Sequence, residues 1–516
     1  MKMSRFAIAA AVAGLLAGKN AWAQQVSARP ATHGVAADGS VLRDVSYAEP
    51  AVVADEPPAA CEESESTYKM HRGLFGRCLC CEEGEDEEVC DIPFRCKWFR
   101  CCGDEYQATQ FFNQRPCQKH LIDGWFNVGG VWNPYRPADR FNGPQTWQDR
   151  ANETNLQEFW TNFHKDVDTG GCGWDWGYKA SVVYGTNARF LTTQGLEDRI
   201  NKTGPFYALA LPNLYGEVGL NDLKVKVGHF GSPVGFYGIG SPANYFATLP
   251  YTYQYGEPFT HTGFLAQYQM TDDFNAGVGL TAGWDNFDQG FNRSVGPMWL
   301  LSRNNVLKCG DNLSWFGIYG NEPNLDPALP TTRYGAPAPG FTPRYMQSLV
   351  YQRPVTDNLQ YVLQSDFGYQ REPFGPAAAR QNAYWYGLNQ YWYYKWNNCL
   401  SYGLNTEWFR DDGGFRVGGF LPNFGNNNNG GPTGIRGLSP ARSGYDGSFY
   451  RIMVGSNLKP HPNLLMRSAL VWDWYSGPLG PNAVDANGRP ATLPFLNGSA
   501  ASRTQVVLSS DVTFFF

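Results

Sequence analysis

The sequence predicts an all-β fold, a transmembrane antiparallel β-barrel of about 16 strands that follows a Cys-rich N-terminal extension. Three observations support this fold class. Apolar and polar residues alternate over segments of about ten residues. The connections between these segments are alternately short turns and long loops. The last segment ends on phenylalanine. Segments of this length favour strands that cross a membrane over the shorter strands of a soluble sandwich.

The alternation is clearest in three segments. Residues 274–284 carry apolar side chains on every even position and small or polar residues on the odd ones. Residues 359–369 and 400–408 repeat the pattern, with Leu, Tyr, Phe and Trp on one face and polar residues on the other. A period of two residues indicates a strand with one apolar face. About ten residues cross an outer membrane when the strand is tilted.

Sixteen strands follow from this pattern, and an even number returns both ends of the barrel to the same side of the membrane. Short turns, such as residues 220–222 and 271–273, are assigned to the periplasmic side. The loops between them are long and rich in Gly, Pro and Asn, as in residues 420–440. The predicted strands are approximately 122–132, 156–163, 174–185, 206–219, 223–230, 263–270, 274–284, 296–307, 313–320, 344–353, 359–369, 382–396, 400–409, 448–458, 464–474 and 503–516.

The composition excludes other classes of protein. The formal net charge of -6 lacks the basic excess of a nucleic-acid binder, so no nucleic-acid partner is expected. A hydrophobic fraction of 42% is too high for a wholly disordered chain, and a mean hydropathy of -0.41 is too polar for a helical membrane bundle. The aromatic fraction of 15% and the 58 glycines favour a β protein.

The N-terminus predicts export. Two basic residues precede an apolar run over residues 6–18, and an Ala-Trp-Ala sequence ends at Ala23. Residues 1–23 are therefore expected to be a signal peptide. Residues 24–60 are rich in Ala, Val, Pro and Asp without periodicity, and they are expected to form a flexible linker. Residues 121–516 then form the barrel.

Residues 61–120 are expected to be a Cys-rich, acidic module in the periplasm. They hold nine of the 12 cysteines, with an acidic run at residues 82–88 between them. Disulfide bonds are the expected cross-links in an exported chain. Zinc or another soft metal is the alternative, but the spacing matches no pair of C-x2-C motifs, so no metal site is assigned. Besides Cys61, the module contains Cys78, Cys80, Cys81, Cys90, Cys96, Cys101, Cys102 and Cys117 as disulfide candidates.

Three further cysteines lie outside the module. Cys172, Cys309 and Cys399 each fall in a turn that is assigned to the periplasmic side. Because nine is an odd number, at least one cysteine of the module pairs elsewhere or stays free. The hypothesis is a disulfide that ties the module to one of these turns.

The C-terminal strand is expected to carry an assembly signal. Its even positions are mostly apolar, and a terminal phenylalanine is typical of strands that the barrel assembly machinery recognises. Phe514 and Phe516 are the candidate signal residues. The expected partners are thus outer-membrane lipid and the assembly machinery, with association into homo-oligomers left open. Closure of the barrel is required because lipid cannot pair edge amides.

Seven stretches resemble the putative beta-barrel porin-2, OmpL-like family. They are FNGP at 141–144, DTGGCGWDWG at 168–177, DLKVKVGHF at 222–230, YGEPFTHTG at 255–263, GWDNFD at 283–288, EWFRDD at 407–412 and KPHPNL at 459–464. The resemblance covers about residues 121–516 and implies a porin-like barrel in the outer membrane. It supplies no catalytic or ligand residues and leaves the solute open.

The expected function is therefore a water-filled pore for passive diffusion of small hydrophilic solutes, since 16 strands leave an open lumen. A non-conducting structural or adhesive barrel is the alternative. The seven histidines are scattered, and neither a Ser/His/Asp spacing nor a phosphate-binding glycine loop stands out. No enzymatic activity and no cofactor are expected.

The third long loop, residues 231–262, is the candidate constriction. The third loop of 16-stranded porins folds inward, and this resemblance singles out Glu257. A surface loop packed on its own aromatic residues is an equal alternative. Alternation directs Arg451, Arg467 and Arg503 of the last three strands into the lumen, where they are expected to form a basic wall opposite Glu257. Lys224 and Lys226 are further candidates for the constriction. The other charges assigned to the lumen are Lys179, Glu217, Asp366, Glu407, Asp473 and Asp511.

Overall fold

The structure, a computed structural model, describes most of the chain from residue 119 onward. The predicted signal peptide, the linker and all but four residues of the Cys-rich module lie outside the described residues. The described residues are 111–112, 119–193, 195–197, 200–201, 206–287, 295–323, 341–373, 382–417, 445–478 and 493–516.

Sixteen strands form one closed antiparallel barrel, in which each strand pairs with its neighbours along the chain and the last strand pairs with the first. A separate hairpin of β16 (Phe495–Asn497) and β17 (Ala500–Ser502) precedes the last strand. The barrel strands are β1 (Leu121–Trp132), β2 (Glu153–Lys165), β3 (Trp174–Gly185), β4 (Ala208–Leu220), β5 (Leu223–Gly231), β6 (Thr260–Thr271), β7 (Phe274–Thr281), β8 (Gly296–Asn304), β9 (Asn312–Pro323), β10 (Phe341–Thr356), β11 (Leu359–Arg371), β12 (Asn382–Lys395), β13 (Leu400–Asp412), β14 (Gly447–His461), β15 (Leu464–Ser476) and β18 (Thr504–Phe515).

The predicted number of strands is confirmed, and β3 has the predicted bounds. The alternation is confirmed as well. In β7, for example, Val278 faces outward and is 61% exposed, whereas Asn275 faces inward and is buried. A surface of this kind, apolar outside and polar inside, suits a barrel in lipid.

One aromatic residue was assigned to the wrong face. The prediction extended β7 to residue 284 and placed Trp284 on the lipid face, but β7 ends at Thr281. Gly283 has a positive φ of 100°, a conformation that L-residues other than glycine rarely adopt, and it turns the chain inward. Trp284 is therefore buried and packs edge to face against Trp385 of β12, with the ring centroids 6.1 Å apart.

The two ends of the barrel differ as predicted. At one end, called here the short-turn end, pairs of residues such as 221–222, 357–358 and 462–463 connect the strands. At the other end, the long-loop end, connections run up to the length of residues 413–446. The long loops include the short helix α1 (Ala188–Leu191). Among the described residues, no helix is long and apolar enough to cross a membrane.

The C-terminal residue takes part in closing the barrel. Phe516 follows β18, and its backbone N–H and C=O both pair with Gly124 of β1, each at 3.0 Å. Its ring stacks on Phe159 of β2, with the centroids 5.9 Å apart. The neighbouring outward ring, Phe514, contacts Phe111 edge to face at 5.7 Å. The last residue thus adds two hydrogen bonds and an aromatic contact at the seam.

We expect deletion of Phe516 to slow membrane insertion while export continues, because the seam loses two backbone hydrogen bonds and the terminal ring. The measurement is the amount of heat-modifiable barrel in the outer membrane. The control is Phe516→Tyr, which keeps the ring and the backbone. Normal accumulation of the folded barrel after the deletion would contradict the assignment of an assembly signal to this residue.

Candidate functional site

The connection between β5 and β6, residues 232–259, lies inside the barrel and is called here the inward loop. Nearly all of its residues are buried, including Tyr251 and Tyr255, which are fully buried. It contains a 3-10 turn at Ser241–Ala243 and a π-helical turn at Thr252–Gly256. Its hydrogen bonds to side chains of β2, β13 and β15 place the loop in the lumen.

A glutamate of the wall binds the start of the π-helical turn. The carboxylate of Glu407, on β13, accepts hydrogen bonds from the backbone N–H groups of Tyr251 and Thr252 at 2.8 and 2.6 Å. It also accepts a bond from the Thr252 hydroxyl at 2.8 Å. The first N–H groups of a helical turn have no partner within the turn. Glu407 supplies that partner and a favourable negative charge.

A second glutamate binds the 3-10 turn in the same way. Glu158, on β2, accepts a hydrogen bond from the backbone N–H of Ser241 at 3.0 Å. Its carboxylate also accepts bonds from the Trp125 indole at 2.8 Å and the Asn187 amide at 2.9 Å. Two strands on different sides of the barrel, β13 and β2, therefore hold the same loop through its backbone.

Two arginines bind carbonyl groups of the loop. Arg467, on β15, donates to the carbonyls of Ser241 and Asn244, both at 2.7 Å. Arg451, on β14, donates to the carbonyl of Leu249. Each guanidinium also pairs with a carboxylate that lies opposite in the sheet register. Arg451 bonds Asp473 at 2.6 and 3.0 Å, and Arg467 bonds Asp511 at 2.9 Å.

The wall leaves room for the loop at one glycine in particular. A Cβ atom at Gly387 of β12 would lie 2.4 Å from the Thr252 side chain, so any larger residue would displace the loop from the wall. Beside it, Asn389 donates to the Thr252 hydroxyl at 2.7 Å, and the Trp385 indole donates to the Gly256 carbonyl at 3.0 Å. Close packing and directed hydrogen bonds thus fix the loop against β12.

The structure does not place Glu257 opposite the arginines. Glu257 is fully buried, and its Oε1 accepts a hydrogen bond from the Gln364 amide of β11 at 2.6 Å. The same amide group donates to Asp366 at 3.1 Å, so Glu257 lies beside another carboxylate. The arginines bind backbone carbonyls nearer the start of the loop. Glu257 follows the π-helical turn and meets β11, because the loop crosses the lumen.

The third predicted arginine is not part of this site. Arg503 precedes β18, is exposed, and donates to the Gly477 carbonyl at 2.9 Å at the long-loop end. The two lysines lie on another wall, in β5. Lys226 is buried with its Nζ 4.4 Å from the ring centroid of Tyr215, and it stands opposite Glu217 in the register. Lys224 donates to the Val167 carbonyl at 3.1 Å near the short-turn end.

A second loop that the sequence did not single out also enters the barrel. Residues 133–152, the first long loop, contact the inward loop from the long-loop end. The Thr146 N–H donates to Gln254 at 2.8 Å, and the Tyr255 hydroxyl donates to the Pro144 carbonyl at 2.8 Å. Trp147 is completely buried. The only sequence signal for this loop is a Trp close to a Gly-Pro pair. That signal does not reveal which surface covers the Trp ring.

A cavity of about 300 Å³ lies between the inward loop and the short-turn end. Asn244 of the loop lines one side, and Asn358, Cys399 and Lys459 line the other. Of the three cysteines in the described chain, Cys172 is exposed, Cys309 is half-buried and Cys399 is buried. Each lies at the short-turn end, as predicted. The cysteines of the N-terminal module lie outside the described residues.

Within the described ranges, no group of three or more His, Cys, Asp and Glu residues is arranged to hold a metal ion. The charged residues around the inward loop bind protein groups instead. These contacts hold the inward loop across the interior of the barrel, close to both acidic and basic side chains of the wall.

Comparison with known families gives one match that covers most of the chain. The sequence model of the family described as "Putative beta-barrel porin-2, OmpL-like" matches residues 120–516. No curated protein matches this chain in sequence.

Several solved structures are similar in fold at low identity. The outer membrane channel DcaP of Acinetobacter baumannii is 10% identical, with a TM-score of 0.45 over 77% of this chain and 97% of that chain. The anion-selective porin from Comamonas acidovorans is 10% identical, with a TM-score of 0.46 over 77% and 99% of the two chains. Pseudomonas putida OprB is 13% identical, with a TM-score of 0.43 over 77% and 94%.

We expect Glu407→Gln to loosen the inward loop. The carboxylate accepts two backbone N–H groups, whereas the amide presents a donor to one of them. Charge-assisted hydrogen bonds of this kind contribute about 2 kcal/mol, which corresponds to about a 30-fold rise in the population of the open loop. Chymotryptic cleavage within residues 251–255 of the folded barrel should rise accordingly.

The matched control is Glu153→Gln. Glu153 pairs with Arg140 at 2.6 Å, but the Arg140 side chain is 70% exposed, so this ion pair contributes little. Equal cleavage rates in the two variants would show that Glu407 does not hold the loop.

Proposed function

Because the chain belongs to the putative beta-barrel porin-2, OmpL-like family, we propose that it forms a channel through which small hydrophilic solutes diffuse passively across the outer membrane. The single observation that carries the proposal is the inward loop. A barrel of 16 strands is wide enough for an aqueous lumen. A segment held across that lumen by the wall narrows the opening without needing any motion or energy source.

The charges near the loop suggest how the opening treats ions. Arg451 and Arg467 are each paired with an aspartate, so their net contribution to the potential is small. Glu257 and Asp366 both accept hydrogen bonds from the Gln364 amide, so two carboxylates lie side by side where the loop meets β11. The β11 side of the loop is therefore the more negative side. We infer that this side, rather than an arginine wall, sets ion preference.

The same burial supports a second candidate function. Both the first loop and the inward loop fill space inside the barrel, and Gln254 and Tyr255 bind the two loops to each other. A barrel filled in this way would serve as a structural or adhesive protein of the outer membrane. Single-channel conductance of the purified full chain separates the two functions, since only the channel gives discrete current steps.

We place the Cys-rich N-terminal module in the periplasm. Both ends of the barrel, Leu121 and Phe515, are at the short-turn end. Short turns face the periplasm in outer-membrane barrels, so a chain that precedes β1 starts on that side. Recognition of Phe514 and Phe516 by the barrel assembly machinery belongs to the same proposal and is supported by the position of Phe516 at the seam.

Replacing residues 232–259 by a tight turn should raise single-channel conductance several-fold, because the loop occupies the lumen cross-section. The control is a chain in which the exposed loop residue Arg503 is changed to Gln, which leaves the interior unaltered. Unchanged conductance of the shortened chain, in bilayers where it inserts as a folded barrel, would show that this loop is not the constriction.

Glu257→Gln should shift ion selectivity toward anions, because it removes a negative charge beside Asp366. The shift should be largest at low salt, where screening is weakest. The measurement is the reversal potential across a KCl gradient. Glu153→Gln at the long-loop end is the matched control. Identical reversal potentials for Glu257→Gln and the unmodified chain would remove Glu257 from the ion path.

A disulfide between the module and the barrel should involve Cys172, Cys309 or Cys399. These three cysteines lie at the short-turn end of the barrel, where β1 begins directly after the module. Peptide mapping of the oxidised protein without reductant should find one of them joined to a cysteine of residues 61–117. Cys172 is the most accessible. Recovery of all three as free thiols would exclude the tether.

A further inference from the structure

Two glutamines occupy the middle of strands on the outward face of the barrel. Gln347 lies in the centre of β10, and Gln390 lies in the centre of β12. Their outward direction follows from the alternation, because Leu349 and Leu388, two residues away on the same strands, are 44% and 38% exposed. In a membrane barrel these positions face the hydrocarbon.

Each glutamine has its oxygen bound but not its nitrogen. Gln347 Oε1 accepts hydrogen bonds from the Trp315 indole at 3.3 Å and the Tyr345 hydroxyl at 2.7 Å. Gln390 Oε1 accepts one from the Tyr361 hydroxyl at 3.2 Å. Within the described chain, neither amide nitrogen donates a hydrogen bond. Lipid tails offer no acceptor, so these donors are costly for a barrel that is surrounded by lipid alone.

The strands between and beside the glutamines carry further outward polar residues. Thr406 of β13 stands directly opposite Gln390 in the register. Ser365 of β11 faces outward, is exposed, and lies opposite Leu349 and Leu388. The patch therefore extends over four adjacent strands, β10–β13, which is about 15 Å at the usual spacing between strands. We call Gln347, Ser365, Gln390 and Thr406 the amide patch.

Another part of the barrel shows no such residues. The outward positions in the middle of β4–β8, all within the described chain, carry no carboxamide and no hydroxyl, and the indole N–H of Trp299 is their one polar side-chain group. They are Leu214, Gly216, Val225, Val227, Phe264, Ala266, Ala276, Val278, Trp299 and Leu301. The polar groups on β10–β13 are thus a property of one side of the molecule and not of its whole lipid-facing surface.

We propose that the amide patch is the contact surface for a second copy of this chain in the membrane. Carboxamides and hydroxyls carry both donors and acceptors, so the patch is complementary to itself. Two copies that meet through β10–β13 can satisfy each other's amide nitrogens, as an isologous contact requires. The patch carries no charge that would select a partner of opposite charge. Polar side chains at this depth ordinarily mark contacts with protein rather than with lipid.

The test is the mass of the full-length protein extracted from the outer membrane in mild detergent, measured by light scattering with correction for bound detergent. The unmodified chain should have a mass of at least two copies. The double variant Gln347→Leu/Gln390→Leu should fall to one copy, a drop of at least twofold. The variant Gln347→Asn/Gln390→Asn, which keeps both amides, should retain part of the association.

Two controls keep the result specific. The Leu variant should remain heat-modifiable and unfold at the same or a higher temperature, because leucine suits a lipid-facing position. Ser468→Ala/Ser510→Ala alters a pair of outward hydroxyls on β15 and β18, whose oxygens are 3.2 Å apart, and should leave the mass unchanged. A single-copy mass for the unmodified chain, an unchanged mass for the Leu variant, or dissociation of the serine variant would each overturn the proposal.

Discussion

The structure depends on one constraint, which is that no backbone amide of a strand in lipid can be left unpaired. The sheet meets it by closing, and β1 pairs with β18 along most of its length. The final residue extends this seam through two hydrogen bonds between Phe516 and Gly124. Closure also fixes the register of every strand against its neighbours. The side chains that meet inside the lumen are therefore determined by pairing of the backbone, before any contact between side chains is considered.

The register explains how the wall can hold a loop with charged residues in a confined space. Arg451 faces Asp473, and Arg467 faces Asp511, so each arginine has a carboxylate partner whether or not the loop is present. The remaining guanidinium N–H groups are then directed at backbone carbonyls of the loop. Glu407 does the converse for backbone N–H groups. Because these bonds involve the backbone, they fix the path of the loop while constraining few of its side chains.

The features that could be predicted from the sequence are those that depend on residues close together in the chain. Alternation identified all sixteen strands, since each strand shows its apolar face within its own residues. The pairing of Arg451 with Asp473 was also within reach, because the two-residue turn at 462–463 nearly fixes the register of that hairpin. The pairing of Arg467 with Asp511 was not, since residues 477–503 separate their strands. The position of Glu257 beside Gln364 was equally inaccessible, because it depends on the path of the inward loop across the lumen.

Polar side chains on the inner and the outer surface of the barrel both need hydrogen-bond partners, but they find them in different ways. Inside, the polar groups of the wall can be met by a loop of the same chain, since any long loop at the barrel mouth can reach the lumen. Outside, an outward residue in the middle of a strand is beyond the reach of the loops and of water. The amide nitrogens of Gln347 and Gln390 therefore depend on a neighbour in the plane of the membrane. A polar residue in the lumen is explained by the fold of one chain, and so is an outward hydroxyl that meets another hydroxyl on the neighbouring strand, as Ser468 meets Ser510. A carboxamide nitrogen with no acceptor within reach on its own barrel is what the proposed contact with a second copy explains.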